Sequence, residues 1–415
     1  ISVSKVEIAS INKMAFPLPE KPSIAVLPFT NMSDDPGKEY LSDSITEQII
    51  TSLSKVPRLF VISRTSTFSY KNKSVKIQQV AEELGVRYVL EGSIQQSEDK
   101  IRITVQLIDA LTGRHLWAER YERIYKDIFV LQDEITLKIL NELQVKLTEG
   151  ERIRSVFSKR RTPNLKAYEK VMEGYPYLRA FNIESNAIAR LLIQDAIELD
   201  SEYFGSYNSM ASVHIMDVWL GSSKSPRDSL NNALKLLKKS ISLEKNNDSA
   251  YSLLCQVYAM KRQFEKSIEA GQKAVEINPN SDVAYMWLAM TLRWVGKPEE
   301  AIVLHKKAMR LCPFPPAYYY LNLGNTYMTA GRCEDAIKEF KKTLHLTPNN
   351  FYAFNGLSIC YGLLGQEKES RTAAAEMIKL NSNLSIKSWI KTMPFKDRDL
   401  VQSWANVLRN AGIPD

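Results

Sequence analysis

The chain has 415 residues, 44% of them apolar and 25% charged, with four cysteines and a formal net charge of +8. That length and apolar fraction suit two to four folded domains and exclude an intrinsically disordered chain. No apolar run reaches the roughly 18 residues that a membrane-crossing helix needs.

The charge is uneven. Residues 1–150 carry 19 basic and 20 acidic side chains, a net of −1, which leaves +9 for the rest. Spread over a long helical region, that surplus reads as solvated helix faces rather than a nucleic-acid footprint. The one local cluster is RIRSVFSKRR, residues 152–161, expected to be a linker or helix end. Cys255, Cys312, Cys333 and Cys360 lie too far apart for a CxxC-type metal site and are expected as reduced, partly buried thiols. No signal peptide opens the chain, and its first residue is Ile1. It therefore reads as part of a longer protein, cytoplasmic unless a membrane span precedes it.

In chain order, residues 1–20 form a lead-in and residues 21–150 an α/β domain. SIAVLPF, residues 23–29, predicts a buried strand that Pro28 places at an edge or brings to its end. NMSDDPGK follows as turn chemistry, with Asp34 and Asp35 as turn formers. It has one glycine and two adjacent carboxylates, a poor cradle for phosphate. Leu41, Ile45, Ile49, Leu53 and Val56 share one helical face; Ser44 and Glu47 have capping-box spacing, with a helix start a few residues earlier as the alternative.

LFVIS, residues 59–63, predicts a second strand. Ile77, Val80, Ala81 and Leu84 predict a short helix that Gly85 closes. A third strand begins near Val86. Ile101, Ile103, Val105 and Leu107 then alternate with polar residues as a half-buried strand. A turn at Thr112–Gly113 leads into HLWAERY, and DIFVLQDEITLKILNELQVKL predicts a long helix. The order βαβαβββα implies a mixed sheet whose later strands form an antiparallel meander. His115 and the acidic pairs Glu82–Glu83 and Glu119–Glu122 have no partner that spacing alone supplies, so surface roles are expected.

Residues 151–165 form a basic linker, and from there helices alternate with short turns. Residues 166–382 are read as a repeat solenoid, with its best units at 248–281, 282–316, 317–350 and 351–382. Position 4 holds Tyr251, Tyr285, Tyr320 and Phe354; position 7 holds leucine at 254, 288, 323 and 357. Small residues fill position 8 (Cys255, Ala289, Gly324, Ser358) and position 20 (Ser267, Ala301, Ala336, Ser370). Pro279, Pro313 and Pro348 sit where the second helix of a unit must stop, with Ser382 in the fourth. This is the tetratricopeptide pattern: small residues let helices approach, and large apolar residues fill the space between neighbours. Residues 167–200 are a looser unit. Residues 202–247 exceed one unit, and GSSKSPRD is read there as an inserted loop. Residues 383–415 form a helical cap, with Leu400, Trp404 and Leu408 on one side of its last helix. Tyr320 and Tyr327 fall on repeat positions, which leaves Tyr318 and Tyr319 as candidates to face a peptide-binding groove.

PSIAVLPFTNMSDDPGKEYLSDSITEQIITSLSKVPRLFVISRTSTFSY, VAEELGVRYVLEGSI and VQLIDALTGRHLWAERYER together resemble the TolB-like amino-terminal domain that precedes tetratricopeptide repeats. The opening FPLPEKPSIAVLPF and the terminus PFKDRDLVQSWANVLRNAGIPD are similar to the C-terminal part of bacterial class III adenylate or guanylate cyclases. The resemblance implies a non-catalytic regulatory or protein-interaction portion, with no catalytic, cofactor or metal residue of its own. Mg or Mn would belong to an upstream cyclase domain. Three readings stand at this point: this portion of a cyclase, the sensor half of a transcriptional regulator with an upstream DNA-binding domain, or an enzyme activity within the chain. The partners implied are a protein or peptide in the groove, a second copy of the chain and an upstream catalytic domain, without nucleic acid.

Overall fold

In the computed structural model, residues 8–146 and 162–415 are described. The basic cluster at 152–161 lies outside them. The first half of the chain builds a mixed sheet from β1 (Ser23–Val26), β2 (Thr30–Asn31), β3 (Phe60–Val61), β4 (Tyr88–Ser97), β5 (Lys100–Asp109) and β6 (Arg114–Ile124). Strand order is β3-β1-β4-β5-β6, with β2 also paired to β4.

Parallel neighbours need a crossover, and helices provide both. Helix α1 (Glu39–Ser54) joins the β1–β2 segment to β3, and α2 (Ile77–Leu84) joins β3 to β4. The rest is the expected antiparallel meander, β4 to β5 to β6. Leu107 pairs with Trp117 but Ile108 with His115, so Leu116 is the extra residue of a bulge. β1 pairs on both sides and ends before Pro28; the proline marks a strand end, not an edge.

Both faces of β1 are buried. Ile24 and Val26 pack with Ile45, Ile49 and Leu53 of α1 and with Leu131, Ile135 and Ile139 of α3 (Ile128–Glu142). Ala25 and Leu27 face the other way, onto Val80, Ala81 and Leu84 of α2. Ile101, Ile103, Val105 and Leu107 join the first of these cores, as their alternation requires. Gly85 closes α2 with φ 62°, a left-handed conformation that glycine adopts without a Cβ penalty.

The capping box at Ser44 and Glu47 does not form. α1 begins at Glu39, so Ser44 lies inside the helix and is buried. Helix propagation from the Pro36–Lys38 turn reaches it first.

From Leu165 onward the chain is a tetratricopeptide-like solenoid of helical hairpins. They are α4 (Leu165–Arg179) with α5 (Ile183–Leu199), α6 (Phe204–Trp219) with α7 (Pro226–Leu243), and α8 (Asp248–Met260) with α9 (Phe264–Ile277). Next come α10 (Asp282–Trp294) with α11 (Pro298–Leu311), α12 (Ala317–Thr329) with α13 (Cys333–Leu346), and α14 (Phe351–Leu363) with α15 (Glu367–Leu380). Helices α16 (Ile386–Thr392) and α17 (Arg398–Asn410) follow. The first five residues of GSSKSPRD lie in the turn 220–225 between α6 and α7, which is longer than the turns at 261–263, 295–297 and 330–332. Ser225 caps α7 and Pro226 is its first residue; α6 and α7, at 16 and 18 residues, add the rest of the unit's length.

The chain divides into two compact units. One contains the α/β fold, the helices up to Val257, and the segments Gln272–Ser281 and Leu311–Pro313. The other contains Tyr258–Gly271, Asp282–Arg310 and Phe314–Asp415.

Within the second unit the small positions serve close approach. A Cβ on Gly324 would stand 2.8 Å from the Phe340 ring. Ser358 and Ser370 instead bond each other's backbone carbonyls, at 3.0 and 2.7 Å, so two hydroxyls replace two methyls without an unsatisfied donor. Trp404 and Leu408 of α17 are buried, Leu400 is partly buried against the same core, and Phe395 meets Trp404 edge-on at 5.1 Å. The chain before α17 is tied to α10 and the turn before α9. Lys396 N–H donates to Trp294 O, and the Arg262 guanidinium donates to Lys391 O and Met393 O.

Candidate functional site

The turn after β1 is filled by its own side chains. Asn31 Oδ1 accepts from Ser33 N–H at 3.0 Å, and Asp35 Oδ1 accepts from Gly37 N–H at 2.8 Å. The Asp35 carboxylate takes an amide that a phosphate would have to use, and Asp34 and Asp35 are exposed. The carboxylate pairs are occupied locally. Glu82 accepts from Ser10 N–H, and Glu83 from Tyr70 Oη and Gln79 Nε2. Glu119 accepts from Trp117 Nε1 and Tyr121 Oη, and Glu122 pairs with Arg102. His115 is exposed on β6. Among the described residues no group of three or more His, Cys, Asp or Glu side chains could hold a metal ion. None of their helices is long and apolar enough to cross a membrane.

The four cysteines are buried and none forms a disulfide. The hydrogen bond with Cys333, and then burial, push the Cys360 thiol up, away from the nucleophilic form.

Within the first unit, the α/β fold is seated on the solenoid helices by polar contacts that composition does not announce. Lys55, at the end of α1, forms an ion pair with Asp248 at 2.7 Å, and the two side chains are 0% and 9% exposed. The same ammonium reaches Asn246 O, and Asn278 donates to Asp248 at 2.8 Å. The Asn280 carboxamide donates to Ser54 O and Leu59 O. Glu47 lies between Arg179, at 2.6 Å, and Arg64, at 2.9 Å. The Arg64 Nε–H is not aimed at the carboxylate, so that contact is an ion pair without a directed hydrogen bond.

Ser44 bonds the Tyr168 hydroxyl, Phe129 stands edge-on to the Tyr168 ring at 4.9 Å, and Tyr125 donates to Glu169. Burial first, then Glu169, pushes the Tyr40 phenol up to about 12; burial likewise raises Tyr168 and Tyr203. These phenols are neutral hydrogen-bonding groups, not bases or nucleophiles.

The helices α5, α6 and α7 line an open cleft that the sequence reading missed. It has two lobes, about 540 and 440 Å³, which share Arg190, His214 and Asn232. Each wall is one helical stripe. Arg190, Gln194 and Ile197 come from α5, Tyr207, Met210 and His214 from α6, and Asn232, Lys235 and Lys239 from α7. Arg190 pairs with Asp217. Burial, then the charge of Arg190, pushes His214 below its ordinary value and keeps it neutral near pH 7. The i, i+4 spacing of Lys235 and Lys239 is visible in the sequence. The apposition of three helices from two hairpins is not.

Of the two tyrosines proposed for the groove, Tyr318 is 44% exposed and Tyr319 is 2% exposed. Tyr319 is thus corrected to a core residue. Its hydroxyl donates to Asp282 at 3.0 Å, which satisfies the phenol as the ring is buried. Tyr318 packs its ring at 4.8 Å from Tyr319 and keeps a surface edge. In the second unit, Arg293 is 5% exposed between the rings of Trp294 and Phe395, and His305 is 1% exposed. Burial lowers Arg293 to about 9; burial and then Arg293 lower His305 to about 3.

Residues 20–138 match the family described as HilA/YgeH-like transcriptional regulator, second domain, and residues 317–350 match the tetratricopeptide repeat. The first match overturns the resemblance to a TolB-like amino-terminal domain. "Putative adenylate cyclase 3" of Rhizobium meliloti (strain 1021) is 42% identical over 256 residues, which are 61% of this chain and 43% of that protein. The chain thus spans less than half the length of this relative. Among solved structures, a thermophilic tetratricopeptide protein of Thermus thermophilus, TTC0263, is 16% identical, with a TM-score of 0.37, over 45% of this chain and 94% of its own. The Cut9–Hcn1 assembly aligns at 15% identity and a TM-score of 0.48, over 68% of this chain and 52% of its own.

Proposed function

We propose that the chain is the sensor and protein-interaction half of a multidomain bacterial regulator, with a DNA-binding domain upstream of residue 1. The observation that carries this reading is the match of residues 20–138 to the second domain of HilA/YgeH-like transcriptional regulators. The organisation agrees with it. An α/β fold is seated on a tetratricopeptide-like array by the Lys55–Asp248 pair and the Asn280 carboxamide. The acidic pairs Glu82–Glu83 and Glu119–Glu122 are engaged in hydrogen bonds and an ion pair with neighbouring groups. The array would bind a protein segment, and the seat would pass that event to the α/β fold. DNA contact would belong to the upstream domain, and the whole would work in the cytoplasm.

A second reading has its own support. The 42% identity to a protein named as a putative adenylate cyclase suits the regulatory portion of a cyclase. One experiment separates them: purify the full-length gene product, then measure binding to its own promoter DNA and cyclic nucleotide formation from ATP and from GTP with Mg or Mn. Promoter binding without cyclic nucleotide is the expected result. Cyclic nucleotide without DNA binding would replace the regulator reading with the cyclase reading.

A further inference from the structure

We propose that the cleft between α5, α6 and α7 is a docking site for an acidic, amphipathic segment of a partner protein. The inference rests on the protein-interaction reading above and names the surface and the partner's chemistry.

The larger lobe joins two properties. Its apolar part comes from Leu191, Ile197, Met210 and Leu236, with the Tyr207 ring among them. Leu191 is 68% exposed, far more than a leucine on a closed helix pair needs to be. The charged side chains that line the lobe are Arg190, Lys235 and Lys239, with no carboxylate among its lining residues. Arg190 is balanced by Asp217. Lys239 reaches Glu202 at 3.4 Å, with both side chains well exposed so that solvent screens the pair, and stands 6.0 Å over the Tyr207 ring. Lys235 is exposed on the same face.

An apolar strip edged by cations attracts a segment of the opposite pattern, with apolar anchors on one side and carboxylates beside them. The apolar contacts supply affinity, and the charge supplies orientation and selection against basic segments. The polar lobe, where Asp217 and Asp228 sit with Lys224, carries mixed charge and would set one end of the segment. The helices that form the cleft are packed by Ala189, Ile193, Met210 and Val213, all buried, so the cleft is present before any partner arrives.

The test uses the whole chain and a fluorescein-labelled synthetic peptide of about 15 residues, roughly four helical turns. Leucine is placed at i, i+3, i+4 and i+7, with Glu or Asp elsewhere. A second peptide carries Lys for each acid, and a third carries Ser for each leucine. Fluorescence anisotropy should show the acidic amphipathic peptide binding at least about tenfold tighter than either control. The affinity should fall as NaCl rises from about 0.05 to about 0.5 M. Lys235→Glu with Lys239→Glu should weaken it by about tenfold or more, and Leu191→Ser should weaken it as well. Lys368→Glu with Lys387→Glu, outside the cleft, should leave it unchanged.

All these positions are exposed, and an unchanged circular dichroism melt identifies folded variants. Equal binding of acidic and basic peptides, no binding of either, or full affinity in the Lys235/Lys239 variant would overturn the proposal. So would a DNA oligonucleotide that binds the cleft in place of the peptide. Peptide binding that survives the cleft variants but falls with Tyr318→Ala would discard the cleft and keep the interaction reading.

Discussion

Removing the Lys55 charge should cost the first unit far more than loss of a surface ion pair would. Lys55 is fully buried, and its ammonium meets the Asp248 carboxylate at 2.7 Å and Asn246 O at 3.3 Å. In Lys55→Met the stem volume is retained, but Asp248 keeps its charge at 9% exposure with its cation gone. Asn278 still donates to it, so the carboxylate is not left without a donor. A buried pair broken on one side costs about 3–5 kcal/mol, against about 0–1 for an exposed pair. The retained Asn278 bond places the expected loss near the lower end, about 3 kcal/mol.

The double variant Lys55→Met/Asp248→Leu removes both charges and should recover most of that loss. The difference between the double and the two singles then measures the pairing. Urea unfolding followed by circular dichroism and by tryptophan fluorescence gives the numbers, with each transition fitted separately because the chain has two compact units. A loss below about 1 kcal/mol in Lys55→Met would refute the reasoning, because the pair would then be behaving as a solvated one.

Two further outcomes follow from buried groups in the second unit. His305 has its proton affinity lowered from the usual 6.5 to about 3, by burial and then by Arg293. Below pH 6.5 the unfolded imidazole takes up a proton that the folded one refuses, so the stability present above that pH is lost as pH falls toward 3. At about pH 4.5 the loss from this group is on the order of 2–3 kcal/mol, and His305→Leu should flatten that part of the pH–stability curve. An equally steep curve in the variant would assign the acid sensitivity to other groups. Tyr319→Ala should destabilise the unit by about 3–5 kcal/mol, because it removes a buried ring and one hydrogen-bond donor to the Asp282 carboxylate. Tyr318→Ala should cost clearly less, about 0.5–1.5 kcal/mol for the ring contact it loses, and equal melting curves for the two would contradict the placement of Tyr319 in the core.

The amino-acid sequence by itself determined the local elements and the class of fold. Strand alternation at Ile101–Leu107, the glycine after Leu84, and the prolines at 279, 313 and 348 act through the residues beside them in the chain. Such signals depend on backbone sterics and on a helix or strand period, so they are readable without a partner. The repeat positions were legible for the same reason: a small residue recurs wherever two helices must approach.

What only the tertiary structure decided are the contacts between residues far apart in the chain. In the sequence Lys55 is an ordinary lysine beside Val56, and folding seals it against Asp248, far along the chain. Tyr318 and Tyr319 are adjacent and chemically identical. A rotation of about 100° per residue along α12 sends one to the surface and the other onto Asp282. The cleft needs Arg190, His214 and Lys235 from three helices at once. Its apolar strip and its cations are ordinary features of each helix read alone, and they become a site only when two hairpins pack side by side.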